Sequence, residues 1–363
     1  MANRPDIPVP GTGRRKYTKD EDKKIWQHVK ERSRTCDVYT GGNAFWIQMQ
    51  IEQKIERIHA EFDSSALETS HSSRSVPEFT ELMSRFDSFD ILNEENVKDL
   101  ISKSSKKSCT LDPMSTSLVL KCQDILLPVI TRMINLSLQS GVFCDEWNQA
   151  LVQPQLKKSK TETVFENLRP ISNLTFTSKL TERAVFNQTN DYLNLYQLYP
   201  KAQSAYRKYH STETALLRVK HDILMNMNRQ HVTLLVILDL SAAFDTVDHH
   251  IMLERLKSSF GIQDQVLKWF TSYLSNRSQF ISVNAGTSKR FELKNGVPQG
   301  SCLGPLLFVL YVSKLFKILE SHLPDAHAFA DDNQLYVSFQ PDSMSEQLSA
   351  VTVMENCIDD IKT

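Results

Sequence analysis

Three aspartates carry the strongest chemical signal in this sequence. Asp239 closes a short apolar run from Val232 to Leu238, and Asp331 and Asp332 stand together between two strand-like runs, Ala326 to Phe329 and Gln334 to Phe339. Clustered carboxylates repel one another unless a cation neutralises them, and hard oxygen ligands that leave water positions open suit Mg²⁺, with Mn²⁺ as a substitute. Such a site is fitted to phosphoryl transfer, where two ions about 3.5–4 Å apart activate a hydroxyl and stabilise the leaving group of an in-line displacement. An isolated Asp-Asp pair is more often a solvated turn, so the chemistry depends on what surrounds these residues.

The elements that must position them follow from pattern. Val232 to Leu238 is nearly unbroken, apolar and rich in β-branched residues, which predicts a strand covered on both faces and ending at Asp239. Asp331-Asp332-Asn333 between two strand-like runs predicts a hairpin with both carboxylates at its tip, and adjacent strands would bring all three aspartates together. Three of the ten glycines, Gly296, Gly300 and Gly304, fall in one loop, and Pro305 suits the first position of a largely apolar helix from Leu306 to Leu319. Further upstream, Glu94 to Ile101 and Ser117 to Leu138 read as helices.

The chain has 363 residues, 40% of them hydrophobic, with 42 basic and 43 acidic side chains. That excludes collagen-like, mucin-like and wholly disordered classes and predicts two domains. Charge is unevenly spread: residues 151–220 hold eleven basic and five acidic side chains, whereas 324–363 hold one lysine and eight acids, a pattern that suits a basic groove ending at carboxylates. The six cysteines show neither zinc spacing nor a disulfide framework, and no signal peptide or membrane-spanning run is present, which predicts a nuclear or cytoplasmic protein with reduced thiols and no membrane partner.

Residues 1–13 read as a flexible leader. Thr18 and Glu21 form a capping box ahead of Ile25, Trp26 and Val29, and Phe45, Trp46, Ile47, Ile51, Ile55, Ile58 and Phe62 recur at helical spacing, so 14–62 reads as a small helical segment. A serine-rich linker over 63–79 leads into the main domain.

Five ordered blocks resemble the reverse transcriptases of LINE-type retrotransposons, which lack long terminal repeats. They are Leu168-Arg-Pro-Ile-Ser-Asn173, Gln203-Ser-Ala-Tyr-Arg-Lys-Tyr-His-Ser-Thr212, Leu238-Asp-Leu-Ser-Ala-Ala-Phe-Asp245, Gly296-Val-Pro-Gln-Gly-Ser301 and Phe329-Ala-Asp-Asp332. The resemblance implies an α+β right-hand polymerase, with fingers over 80–230 and palm over 231–363, that adds deoxynucleotides to a DNA primer on an RNA template. It makes Asp239, Asp331 and Asp332 the metal-binding catalytic carboxylates, with the backbone carbonyl of Leu240 completing one shell. Phe244 becomes the aromatic gate against a ribose 2′-hydroxyl, Gln299 and Gly300 the nucleotide-pocket pair, and Arg207 the clamp on the triphosphate. Arg169 and Lys158 are lesser phosphate candidates, and Lys157, Lys158, Lys160 and Lys179 are candidate template-backbone contacts.

The sequence departs from the family in stopping at Thr363, shortly after Asp332, so a thumb is expected to be missing and the grip on primer-template weak. Tyr17-Thr-Lys-Asp-Glu-Asp-Lys-Lys-Ile-Trp26 and Gly42-Asn-Ala-Phe-Trp46 are similar to Myb/SANT-type domains of the telomere-associated kind, which implies double-stranded DNA as a further partner. The mixed charges of Glu52, Lys54, Glu56 and Arg57 disfavour sequence-specific reading there. The alternatives to an enzyme are a nucleic-acid-binding protein without chemistry and an inactive retrotransposon relic.

Overall fold

A computed structural model describes residues 84–362 apart from 159–163, 165–166, 241–242, 284–285 and 324. The leader, the Myb-like segment, the linker and Lys160 lie outside the described residues.

The described chain opens with α1 (Glu94–Lys103), started by a capping box in which Asn93 and Asn96 bond each other's backbone, and burying Val97, Leu100 and Ile101. The predicted helix over Ser117 to Leu138 is two helices, α2 (Thr116–Lys121) and α3 (Gln123–Ser140), because Cys122 turns the axis with φ −99° and ψ 18°. Then come β1 (Gln149–Leu156), β2 (Leu168–Asn173) and α4 (Phe176–Leu195), followed by α5 (Thr212–Asn228) and β3 (Val232–Asp239). Asp248 caps α6 (His249–Phe260) by accepting from the Ile251 N–H, and α7 (Asp264–Leu274) follows. β4 (Ser278–Val283), β5 (Gly286–Thr287) and β6 (Phe291–Glu292) precede α8 (Gly304–Tyr311) and α9 (Ser313–His322). The hairpin β7 (Asp325–Phe329) and β8 (Asp332–Phe339) leads to α10 (Met344–Lys362).

Among the described residues the strands form two sheets. One has the order β2-β1-β4-β5 with β6 also on β4, and only its β1/β4 pair is parallel; the other is antiparallel in the order β3-β8-β7. The larger core is helical, and Trp269 is its centre, within 5.3 Å of Phe143 edge-on and stacked on Tyr273. It draws Leu180 and Ala184 from α4 and Leu256 and Leu307 from α6 and α8, so the stretches before and after residue 230 share it. A second core fills the space between the three-stranded sheet and α9 and α10, using Leu335, Phe316, Leu319, Met354 and Cys357.

Three further sequence expectations change in detail. β3 is not covered on both faces: Leu234, Val236 and Leu238 pack on the second core, whereas Leu235 and Ile237 are 38% and 67% exposed on the face that carries Asp239. β3 is an edge strand whose Asp239 face is open at that end, while α5 covers the other end through Asn226 on Thr233 and Asp222 on Tyr336, and its continuous apolar run conceals that alternation. The expected helix from Leu306 to Leu319 breaks at Val312 (φ −80°, ψ 3°), which lets α8 stay in the first core while α9 turns its Phe316 and Leu319 to the second. The hairpin turn is tighter than expected, since Phe329 pairs with Asp332; only Ala330 and Asp331 are unpaired, and Asp332 already belongs to β8.

Candidate active site

The antiparallel register sets Asp239 of β3 directly against Asp332 of β8. Residues opposite each other in such a ladder point to the same face, so both carboxylates stand on the open face of the sheet, with Asp331 in the turn beside them. Partial burial, then repulsion from Asp331 and Asp239, raises the Asp332 carboxyl above the ordinary aspartate pKa. Among the described residues, no three His, Cys, Asp or Glu side chains converge closely enough to grip an ion as they stand. The donor set nevertheless fits Mg²⁺ or Mn²⁺: oxygen atoms only, exposed to water, and mutually repelling until a cation neutralises them. Leu240 follows Asp239 directly, its side chain half-buried against the helical core.

The chain then bends through Phe244, whose ring stacks on Phe308 of α8 with centroids 5.3 Å apart. Phe244 is thus half-buried in a turn, and α6 begins only at His249. The Phe244 carbonyl accepts from the Val297 N–H at 2.8 Å, and the Gly296 N–H donates to the Val247 carbonyl at 2.7 Å, so the aromatic residue and the glycine loop are joined through backbone. The side-chain amide of Gln299 donates to Asp245 at 3.4 Å, and the Gln299 backbone carbonyl accepts from the Ser172 N–H of β2 at 2.7 Å. Gly300 has φ +123°, and a Cβ there would lie 2.6 Å from the Ser172 carbonyl oxygen, so close backbone approach requires glycine. Phe244, Gln299 and Gly300 therefore belong to one linked neighbourhood.

A cleft of about 410 Å³ opens beside Gly300. Its charged lining comes from Lys179 and Arg183, one turn apart on α4, with Phe176, Phe186 and Tyr206 as aromatic walls. Basic and aromatic side chains in one groove suit a single-stranded nucleic acid, whose phosphates and base faces they meet respectively. Arg207 is not among the cleft residues: its guanidinium donates to the Gln203 carbonyl at 3.1 Å and lies 5.1 Å over the Tyr199 ring. Arg169 is exposed on β2 opposite Gln155, and Lys157 and Lys158 are exposed just beyond β1, where the Lys157 N–H donates to the Asn167 carbonyl.

Two residues of the site escape a reading of sequence alone. Gln203 is fully buried; its amide nitrogen donates to the Ala330 carbonyl at 3.1 Å and its amide oxygen accepts from the Ala330 and Ala205 N–H groups at 2.9 Å each. Glu182 is fully buried on α4 and accepts from the N–H groups of Cys302 and Leu303, at 2.6 and 3.4 Å, just ahead of α8. Burial pushes its pKa up, opposed by the buried Arg277, which donates to the Tyr273 carbonyl at 2.8 Å. At the other end of the loop, His249 Nε2 donates to the Gly296 carbonyl at 2.8 Å, and burial lowers its pKa. Glu182 carries one legible signal, a lone acid among Leu180, Thr181, Ala184 and Val185 on a buried helix face. Gln203 carries none, because its partner lies far away in sequence.

A two-strand carboxylate cluster, an aromatic turn joined to a glycine loop, and a basic, aromatic cleft thus lie on one α+β chain. The family model for "Reverse transcriptase (RNA-dependent DNA polymerase)" matches residues 156–361, and the chain belongs to that family. Its relatives come from mobile elements. Over 253 residues it is 29% identical to a probable RNA-directed DNA polymerase from transposon BS of Drosophila melanogaster, covering 69% of this chain and 27% of that protein. It is 31% identical over 222 residues to the RNA-directed DNA polymerase from mobile element jockey of the same organism, covering 61% and 24%. It is also 30% identical over 127 residues to a retrovirus-related Pol polyprotein from type-1 retrotransposable element R2 of Popillia japonica, covering 32% and 21%. The chain thus spans about a quarter of the length of these relatives. They support the LINE-type resemblance of the five blocks. Among the described residues no helix is long and apolar enough to cross a membrane.

Proposed function

We propose that this chain carries the fingers and palm of an RNA-directed DNA polymerase and transfers deoxynucleotides to a primer 3′-hydroxyl on an RNA template. The observation that carries the reading is the β3/β8 register, with Asp239 against Asp332 and Asp331 in the adjoining turn. The three carboxylates would hold Mg²⁺ or Mn²⁺, with the Leu240 carbonyl as a further oxygen. Bound there, the ions supply the charge that favours an ionised 3′-hydroxyl and neutralises departing pyrophosphate. Gly300 lets backbone approach the incoming nucleotide, Gln299 offers an amide to its base or sugar, and Phe244 leaves no room for a 2′-hydroxyl. Lys179 and Arg183 hold the template phosphates beside Phe176, Phe186 and Tyr206. With Arg207 turned onto Tyr199, its phosphate contact requires that the guanidinium leave that ring.

The test is primer extension on an RNA template with deoxynucleotides and Mg²⁺, beside an Asp331→Ala/Asp332→Ala control and a ribonucleotide arm. Extension that disappears in the double variant and with ribonucleotides is expected. A folded chain that never extends a primer would refute the reading. The basic, aromatic cleft also suits binding without chemistry; that second reading predicts salt-sensitive RNA binding that the double variant leaves unchanged, with no extension in any arm.

A further inference from the structure

The turn that carries Asp331 is an unusual one for its sequence. It has two central residues, Ala330 and Asp331, and Ala330 has φ +60°. A positive φ at the first central position of a two-residue hairpin turn is normally taken by glycine, because a Cβ crowds the following carbonyl there. Alanine keeps this conformation only if something outside the turn enforces it.

The side chain of Gln203 is placed to do so. Residues 202–204 run parallel to β7 as a short extra rung: the Ala328 N–H donates to the Ala202 carbonyl and the Ser204 N–H to the Ala328 carbonyl, both at 2.9 Å. Backbone pairing stops there, one residue short of the strand's end. The Gln203 amide takes over and satisfies both the N–H and the carbonyl of Ala330, as a paired strand would. Its oxygen also holds the Ala205 N–H, which fixes the amide's own orientation. Every polar atom that Gln203 offers in this buried setting has its partner, and two of the three bonds fall on the peptide groups that reverse the chain into Asp331 and Asp332.

We propose that Gln203 is a positioning residue for the catalytic carboxylates: its amide imposes the left-handed backbone of Ala330, and that conformation sets the direction of Asp331 and the register of Asp332 against Asp239. The inference rests on the carboxylates being a metal site, and goes beyond it by assigning the residue that presents them. Gln203 touches neither metal nor substrate, so its loss should change how well the aspartates hold an ion and how fast chemistry runs. Nucleotide affinity, set by the loop at Gln299 and Gly300, should stay nearly the same.

The test uses the full 363-residue chain as wild type, Gln203→Ala, Gln203→Glu and Asp331→Ala/Asp332→Ala. Two readouts are compared: Mn²⁺ binding followed by electron paramagnetic resonance, and primer extension with kcat and the dNTP KM taken separately. In Gln203→Ala, Mn²⁺ affinity is expected to fall about 10–100-fold, as for other residues that orient metal ligands, and kcat to fall with it while KM moves less than about twofold. Gln203→Glu keeps the acceptor and loses the donor to the Ala330 carbonyl, so an intermediate loss is expected; this isosteric change serves if the alanine variant does not fold. Adding Ala330→Gly to Gln203→Ala should recover part of the affinity, because glycine adopts the required φ unaided. Wild-type Mn²⁺ affinity in a folded Gln203→Glu or Gln203→Ala variant overturns the proposal. So does Mn²⁺ binding by the wild type that does not depend on Asp331 and Asp332. If binding behaves as expected but no variant, including wild type, extends a primer, this inference stands and the polymerase reading falls.

Discussion

Replacing Gly300 by alanine tests the glycine loop more sharply than any other single change. The residue's φ of +123° lies in a region that is essentially glycine-only and costs another residue about 1–3 kcal/mol. The new Cβ would also sit 2.6 Å from the Ser172 carbonyl oxygen, and Ser172 is held in the β1/β2 ladder opposite Val152, so the oxygen has little freedom to retreat. Overpacking of that kind costs a further 1–3 kcal/mol, roughly. If the loop moves instead, it gives up the 2.7 Å bond from the Ser172 N–H to the Gln299 carbonyl, worth about 1 kcal/mol. Taking about 3 kcal/mol as the net, and about 2–4 °C per kcal/mol for a domain of this size, Tm should fall by about 6–12 °C. Scanning fluorimetry gives the Tm, and single-nucleotide extension below the transition gives the dNTP KM, which should rise at least about tenfold as Gln299 shifts. Gly261→Ala is the control, since its Cβ also meets a backbone carbonyl, that of Ser84, at a left-handed glycine away from the loop. It should lower Tm and leave KM alone. A Gly300→Ala chain with wild-type Tm and wild-type KM would refute the reasoning.

Asp332→Asn should abolish metal binding yet stabilise the metal-free fold by about 0.5 kcal/mol at neutral pH, because it removes like charges placed directly opposite. The folded-state pKa of Asp332 is raised, so this residue's own contribution to stability is present at low pH and lost as pH rises through that pKa; the Tm gain of the variant should shrink toward acid pH, and a variant less stable than wild type in metal-free neutral buffer would contradict it. Phe244→Val should admit ribonucleotides, seen as at least a tenfold fall, roughly, in deoxy-over-ribo preference, and cost about 1–2 kcal/mol in urea unfolding as the ring leaves Phe308. Unchanged discrimination would show that the ring only packs. Glu182→Ala leaves the buried Cys302 and Leu303 N–H groups unpaired, so about 2–4 kcal/mol should be lost in urea unfolding. Glu182→Gln should lose less because one acceptor remains, and equal losses would place the whole effect on charge.

The parts of this site that lie within one stretch of chain were legible in sequence. Asp239 ends an apolar strand, Asp331 and Asp332 mark a polar break between two more, and Gly296 to Pro305 announces a loop before a helix; each signal is local, and each element forms. The face exposed by β3 was hidden, because alternation leaves no trace when both faces carry Leu, Ile and Val. The breaks at Cys122 and Val312 were hidden too, since neither residue type stops a helix and the turn is imposed by which core each half must reach. Arg207 shows the same limit in the site itself: its position in a motif suggests a phosphate contact, while the ring of Tyr199 and the carbonyl of Gln203, supplied by the fold, decide where its guanidinium rests. The motif words marked the candidate residues, and contacts supplied by the fold set their geometry.

The span between Gln203 and Ala330 also has a meaning in time. The two lie 127 residues apart, whereas α1 and α5 are capped by residues three positions away. Closing so long a loop costs chain entropy that local helices do not, and contacts of this kind form late. At about 5–20 residues per second of synthesis, the helices that line the cleft are complete well before residue 330 leaves the ribosome. On the function proposed above, the nascent chain would own a groove for nucleic acid before it owned a place for metal, and a stalled chain ending ahead of β7 is expected to bind RNA without the means to act on it.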